Sequence, residues 1–289
     1  MPSTELPPPD HLPIELLSRC HANALEDYRA FARVTAGAAI EEEPGSVFVD
    51  LAGGDSLENV AFFTEAPADP TDALGRAIRF FRRRKRPWSV LLVPKTKRAM
   101  RPALAARGFL NEGRFPGMIL RPLPERGQKV PDGLVVRRAE TLADLEDIQR
   151  AASHSYGVPY ERPDPDWLRS PAISLYAGYS ENEPVAHGAL IVAYGIAGIA
   201  YVGTVPEGRR RGFASALVDR ILVEGHRRGC DAAYLWATPM GFAVYERLGF
   251  ERVLDYEIWS APGAPLPPAI RGTDGRRRPV RQGPRQISA

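Results

Sequence analysis

Residues 201–217 read YVGTVPEGRRRGFASAL. The stretch opens on apolar positions, several β-branched or aromatic (Ile199, Tyr201, Val202, Val205), which suit a strand. Pro206 ends any ladder because it has no N–H to donate. A short basic turn follows, from Glu207 to Arg211. From Gly212 the period changes: Phe213, Leu217 and Ile221 recur every four residues, as do Ala214, Val218 and Leu222. That spacing predicts a helix with one buried face. The unit is strand, loop, helix, with Arg209, Arg210 and Arg211 at the mouth of the helix.

Such a junction favours an anion. The first N–H groups of a helix have no intrahelical partner, and the macrodipole adds partial positive charge there. Gly212 lets the backbone come close to a ligand, and Ala214 has almost no side chain to obstruct it. Three guanidiniums add charge that a pyrophosphate can use. The spacing Arg209-x-x-Gly212-x-Ala214 is neither GxxxxGK[ST] nor GxGxxG, the two common nucleotide loops.

The pattern resembles the acetyl-CoA signature of the GNAT superfamily of N-acetyltransferases, R/Q-x-x-G-x-G/A after a strand ending in V/T-x-P-E. Thr204, Pro206 and Glu207 fit that lead-in. A second element, VYERLGF at 244–250, is similar to the closing helix of the family, and both motifs stand in the expected order. The resemblance covers about residues 134–260. It implies a GNAT-like fold of the mixed α/β (α+β) class, a central mixed, mostly antiparallel sheet flanked by helices. It also implies transfer of an acetyl group from acetyl-CoA, as acyl donor, to a primary amine that attacks the thioester directly. The acceptor would be a small molecule or a peptide.

By the same resemblance, backbone groups around Val202, Gly203 and Thr204 hold the pantetheine arm and the acetyl oxygen. The amides of Arg210, Arg211, Gly212, Phe213, Ala214 and Ser215 cradle the pyrophosphate, with Arg209 as further charge. Thr238 stands where relatives often place an asparagine that touches the cofactor. Tyr245 matches the tyrosine that protonates the departing thiolate; a phenol and a thiol have neighbouring pKa values, so that transfer is nearly balanced. On spacing alone Tyr245 is a core tyrosine beside Phe242 and Leu248. Many relatives carry a carboxylate on the central strand as base, but residues 196–205 contain no Asp, Glu or His. The base then lies elsewhere, at His187, His154 or Glu161, or the amine arrives neutral. A non-catalytic acyl-CoA sensor is the alternative reading.

The rest of the chain sets bounds. Its 289 residues suffice for two domains, with 44% hydrophobic and 25% charged residues. No long apolar run predicts a membrane span, and the first residues lack a signal-peptide pattern, so a cytoplasmic location is expected. Cys20 and Cys230 stand far apart with no metal-ligand spacing and are expected as reduced, buried thiols. No metal site is expected. Oligomeric state is left open.

In chain order, residues 12–34 read as a helix, 47–51 and 60–64 as strands around the turn Gly53-Gly54-Asp55, 71–84 as a helix, 89–93 as a strand, 98–107 as a helix and 116–120 as a strand. This order, and LAARGFLNEGRFPGMIL set beside YERLGFERVLDYEIW, suggests two related halves in tandem. Residues 1–122 form a degenerate half without the Arg-x-x-Gly helix start, 123–133 a Pro/Gly-rich linker, and 134–260 the acetyltransferase domain. The loop holding Tyr156, Tyr160, Glu161, Asp164, Asp166 and Trp167 could receive a cationic or aromatic amine, or equally be an ordinary polar loop. Residues 261–289 read as a disordered basic tail. It has no interleaved aromatics to stack on bases, so nucleic acid is not expected as a partner.

Overall fold

A computed structural model describes residues 12–264, 266, 267 and 270. The first half of the chain runs α1 (Ile14–Ala32), β1 (Ala39–Glu43), β2 (Ser46–Asp50), β3 (Asn59–Phe63), α2 (Pro70–Arg84), β4 (Ser89–Leu92), α3 (Pro94–Ala106) and β5 (Leu110–Leu120). The second runs β6 (Leu134–Arg138), α4 (Leu142–Tyr156), β7 (Ile173–Ser180), β8 (Glu183–Ala193), β9 (Ile196–Thr204), α5 (Phe213–Arg227), β10 (Ala232–Trp236), α6 (Pro239–Arg247) and β11 (Glu251–Ser260). Short 3-10 turns occupy Pro165–Arg169 and Pro206–Gly208.

All the strands join one eleven-stranded sheet in the order β1-β2-β3-β4-β11-β5-β10-β9-β8-β7-β6. Two pairs are parallel, β3 with β4 and β9 with β10, and each is joined through a helix, α2 or α5. The remaining neighbours are antiparallel. The fold is therefore mixed α/β with a mostly antiparallel central sheet, as the motifs imply. β1, on the edge, is a strand that the periodicity does not predict; its AIEEE sequence has little apolar content because it is only partly covered.

The centre of the sheet is where the halves meet. β5 leaves the first half and pairs with β10 of the second, from Trp236↔Gly117 to Ala233↔Leu120. β11 leaves the second half and pairs with β4 of the first, from Ser260↔Ser89 to Glu257↔Leu92. β5 and β11 then pair with each other along their length. Each half thus lends its last strand to the other. Gly117 is required at this crossing: a Cβ there would stand 2.3 Å from the Tyr234 hydroxyl. That hydroxyl lies 2.7 Å from the Tyr256 hydroxyl, which lies 2.9 Å from His21 Nδ1, tying β10, β11 and α1 together in the core. Burial pushes the His21 imidazole down to about 4, so it is neutral at pH 7.

Flanking helices cover both faces. In the first half Phe80 and Phe81 of α2 meet Trp88 and Phe109, with the Phe81 and Trp88 rings stacked 4.5 Å apart. α1 crosses to the second half: Asn23 Nδ2 donates to the carbonyls of Ile191, Ala193 and Ile196. Beyond β11, Leu266 and Ile270 are buried in the core beneath α1. At these two positions this differs from the loose tail expected from residue 261; residues 265, 268, 269 and 271–289 lie outside the described residues.

The exchange carries a testable consequence. A fragment of residues 130–289 has no β5, so β10 and β11 lose their shared neighbour and expose ladder groups and apolar faces. It is expected to lack a cooperative thermal transition in circular dichroism, and co-expression with residues 1–122 should restore one. A fragment that melts cooperatively alone contradicts this reading.

Candidate active site

β9 and β10 are neighbours for only three residue pairs, Ile196↔Ala232 to Gly198↔Tyr234. Beyond Gly198 they part. The cause lies in β9: the pairing with β8 slips between Ala200↔Ala189 and Gly203↔His187, and Tyr201 takes φ +54°. A bulge with a non-glycine residue in the left-handed region costs on the order of 1–3 kcal/mol, and such strain collects at functional sites. Here the strand, no longer paired with β10, borders a cavity of about 1170 Å³, and its Val202 carbonyl accepts from the Tyr156 hydroxyl at 3.2 Å. The expected positions Val202, Gly203, Thr204, Arg209, Arg210, Gly212, Phe213, Ala214, Ser215, Thr238 and Tyr245 all line it; Arg211 does not.

The mouth of α5 is built for an anion. Gly212, at φ +80°, is the N-cap; no side chain caps the helix, and its first turn carries no acidic residue. Its leading amides are therefore open. Arg209 does not point outward as free charge: Nε donates to the Thr204 carbonyl at 3.2 Å and Nη2 to the Ser155 carbonyl at 3.1 Å, fixing the loop. Arg211 lies over the Phe213 ring, 4.5 Å from its centroid. The matching junction of the first half differs. There β3 and β4 stay paired from Val60↔Ser89 to Phe63↔Leu92, and Asp69 caps α2 by accepting from Thr71 N and Asp72 N. A carboxylate already fills that helix mouth, and the strands do not part.

Tyr245 is 8% exposed, its ring edge-on to Phe250, and no group among the described residues bonds its hydroxyl. Burial pushes the phenol above its usual range, so it carries its proton at neutral pH. Gly241 makes room for the ring, since a Cβ there would stand 2.9 Å from Tyr245 Cε2. The Thr204 hydroxyl, at the rim of the bulge, is buried without a partner among the described residues. The Thr238 hydroxyl is engaged in capping α6, accepting from Gly241 N at 3.2 Å.

His187 sits on β8 behind the cavity wall, fully buried against the rings of Tyr156 and Tyr201. Its Nε2 lies 2.8 Å from Ser155 Oγ. Burial drives it down to about 3, partly opposed by the Tyr201 backbone, so the ring is neutral across the physiological range. His154 is exposed, 3.7 Å from Glu207. Glu161 does line the cavity, with Oε1 accepting from Gly54 N at 3.0 Å.

The carboxylates that sequence reasoning missed come from the first half. Asp27 on α1, and Asp55 and Glu58 between β2 and β3, line the same cavity. Burial raises Asp27 and Glu58 each to about 7. A signal for Asp27 exists in the sequence: Asn23 and Asp27 are polar residues four apart beside the apolar face of α1. Its meaning depends on where α1 docks. Among the described residues no group of His, Cys, Asp and Glu is placed to hold a metal ion, and no helix is long and apolar enough to cross a membrane.

Asp27 costs the fold stability at neutral pH. Its folded carboxyl holds a proton to a higher pH than the unfolded one, so stability falls as pH rises from about 4 through about 7. Asp27→Asn escapes that loss. Thermal denaturation should show the variant more stable at pH 8, by on the order of 1–2 kcal/mol after allowing for partial exposure, and no more stable at pH 4. A variant less stable at pH 8 counts against an unpaired buried carboxylate.

Comparison with known proteins agrees with this geometry. Residues 190–253 match the family model described as an acetyltransferase (GNAT) domain, a span from β8 to β11 that includes the α5 mouth and Tyr245. No curated protein matches the sequence. Among solved structures, a GCN5-related N-acetyltransferase from Kribbella flavida is similar at 20% identity and TM-score 0.64, over 85% of this chain and 96% of that one. Another, from Sphaerobacter thermophilus, is similar at 17% identity and TM-score 0.56, over 85% and 90%. The parted strands, the uncapped helix mouth and Tyr245 all lie within residues 190–253, the span that matches the acetyltransferase (GNAT) domain, and the chain shares the fold of these GCN5-related N-acetyltransferases.

Proposed function

We propose that this protein transfers an acetyl group from acetyl-CoA to a primary amine of a small molecule or peptide. The observation that carries the reading is the shared cavity: the open amides of α5, the stretch of β9 that has parted from β10 and the Tyr245 hydroxyl, which has no partner among the described residues, all line it. The pyrophosphate would rest on the amides of residues 210–215, and the pantetheine arm would pair along residues 202–204. A backbone N–H there would face the oxygen of the thioester as negative charge develops on it. The buried Thr204 hydroxyl, which has no partner among the described residues, fits a polar ligand at that edge.

The chemistry is then direct. The amine nitrogen attacks the carbonyl carbon, the carbon–sulfur bond breaks, and Tyr245 supplies a proton to the leaving thiolate. No cysteine nucleophile is called for; Cys20 and Cys230 are both buried, and burial raises their thiols. Two free thiols also suit a reducing compartment such as the cytoplasm. Tyr245, buried yet open to the cavity with no bond of its own, favours an enzyme over a sensor. We read the first half as a related, degenerate copy that no longer binds cofactor, because Asp69 fills its helix mouth and its parallel strands remain closed.

Calorimetric titration of acetyl-CoA should give one site per chain. Gly212→Glu, with a side chain forced into a left-handed position and a negative charge at the cradle, should abolish binding. Two sites per chain contradict the degenerate first half. Tyr245→Phe should keep acetyl-CoA affinity within about twofold and lower kcat by about 10- to 100-fold in a thiol-release assay. An unchanged kcat removes Tyr245 from the reaction and leaves the sensor.

A further inference from the structure

The central strand of the second half carries no carboxylate, yet the cavity beside it is acidic. The acids reach it from the other half. Asp27 lies one helical turn beyond Asn23 on the same face of α1. Asn23 is fixed over the paired part of β9, where a Cβ on Gly198 would stand 2.2 Å from its Oδ1. One turn further along, Asp27 comes over the place where β9 and β10 part. It borders a small hollow there with Ile199, Ala200 and Trp236, as well as the main cavity.

Asp27 has no hydrogen bond or ion pair among the described residues, and burial is the cause of its raised pKa. A half-buried carboxylate without a partner is costly unless something charged or protonated comes to it. Its neighbours are held for the same purpose. Glu58 Oε2 accepts from Asp55 N at 3.0 Å, and Glu161 Oε1 from Gly54 N at 3.0 Å, so both carboxylates are oriented by backbone. The rings of Tyr28, Phe31, Tyr156, Trp167 and Tyr201 line the same cavity. Carboxylates set among ring faces suit an organic cation.

We propose that Asp27 and Glu58 form the acceptor receptor of this enzyme, that it takes a cationic amine on an apolar, ring-bearing body without a carboxylate, and that Asp27 receives the proton of that amine. The proton step rests on the acyl-transfer reading above; the cation receptor does not. The protons balance as follows. The arriving ammonium gives one proton to Asp27, which frees the lone pair for attack on the thioester carbonyl. Expulsion of the thiolate takes the Tyr245 proton, the second amine proton returns to the phenolate, and Asp27 releases its own to solvent. The products are an amide, a thiol and one proton. His187, neutral and behind Tyr156 and Tyr201, takes no part in this route and holds the bulge through its contacts with Ser155 and Tyr201.

The test uses the full chain and two probes that differ by one carboxylate, phenethylamine and phenylalanine, each titrated calorimetrically with and without CoA. The wild type should bind phenethylamine at least tenfold more tightly than phenylalanine. Asp27→Asn/Glu58→Gln should lose at least tenfold in phenethylamine affinity while its CoA affinity and cooperative melting are kept. Equal affinity for the two probes, or a double variant that binds phenethylamine as the wild type does, overturns the receptor. Thiol release reads the proton step: Asp27→Asn should lower kcat at saturating amine by at least tenfold, and an unchanged kcat overturns that assignment. Failure of the wild type to bind CoA would overturn acyl transfer, while the phenethylamine titration without CoA would still decide the receptor.

Discussion

β10 is held on its two sides in opposite ways. On one side β5, borrowed from the other half, pairs with it from Ala233 to Trp236. On the other, β9 pairs only as far as Tyr234 and then leaves. The opening is possible because the remaining side is so well anchored. A strand parted from one neighbour exposes backbone groups and loses packing, and it stays in place only if the rest of its surroundings over-determine it. β5, β11, and the chain of hydroxyls from Tyr234 through Tyr256 to His21 supply that support. The strain at Tyr201 and the cavity beside it therefore depend on a strand contributed by the first half.

That dependence gives the first half a structural role. Its own helix mouth is closed by Asp69 and its parallel strands are fully paired. What it contributes is a strand at the centre of the sheet, a helix laid over β9, and carboxylates in the cavity. The charges divide accordingly. Open amides, with Arg210 beside them, stand where an anion would lie, at α5, while Asp27 on α1 and the backbone-held Glu58 and Glu161 line the same cavity. A ligand with a phosphate at one end and a partner with a positive charge at the other would each find the complementary field.

The local chemistry was legible in the sequence, and the long-range arrangement was not. The switch from strand to helix at Gly212, the Thr141 start of α4 and the Tyr245 helix follow from periodicity and capping, which are properties of neighbouring residues. Proline at 116 made β5 read as a short strand, yet it runs from Leu110 because β11 pairs along its length. The exchange of β5 and β11 has no local signature, since either strand would read the same beside its own half. For the same reason the sequence points for a base only to residues near β9 and the acceptor loop, His187, His154 and Glu161. Asp27 becomes visible only once α1 is seen to cross between the halves, and Leu266 and Ile270 pack only because that crossing leaves an apolar floor for them.

The most direct measurement is a crystal structure of the full chain with CoA bound. The account predicts the pyrophosphate on the amides of residues 210–215, the arm along residues 202–204, and the sulfur between Tyr245 and the place where β9 and β10 part, with α2 unliganded. Density for CoA at α2, or across the sheet away from that parting, would contradict it.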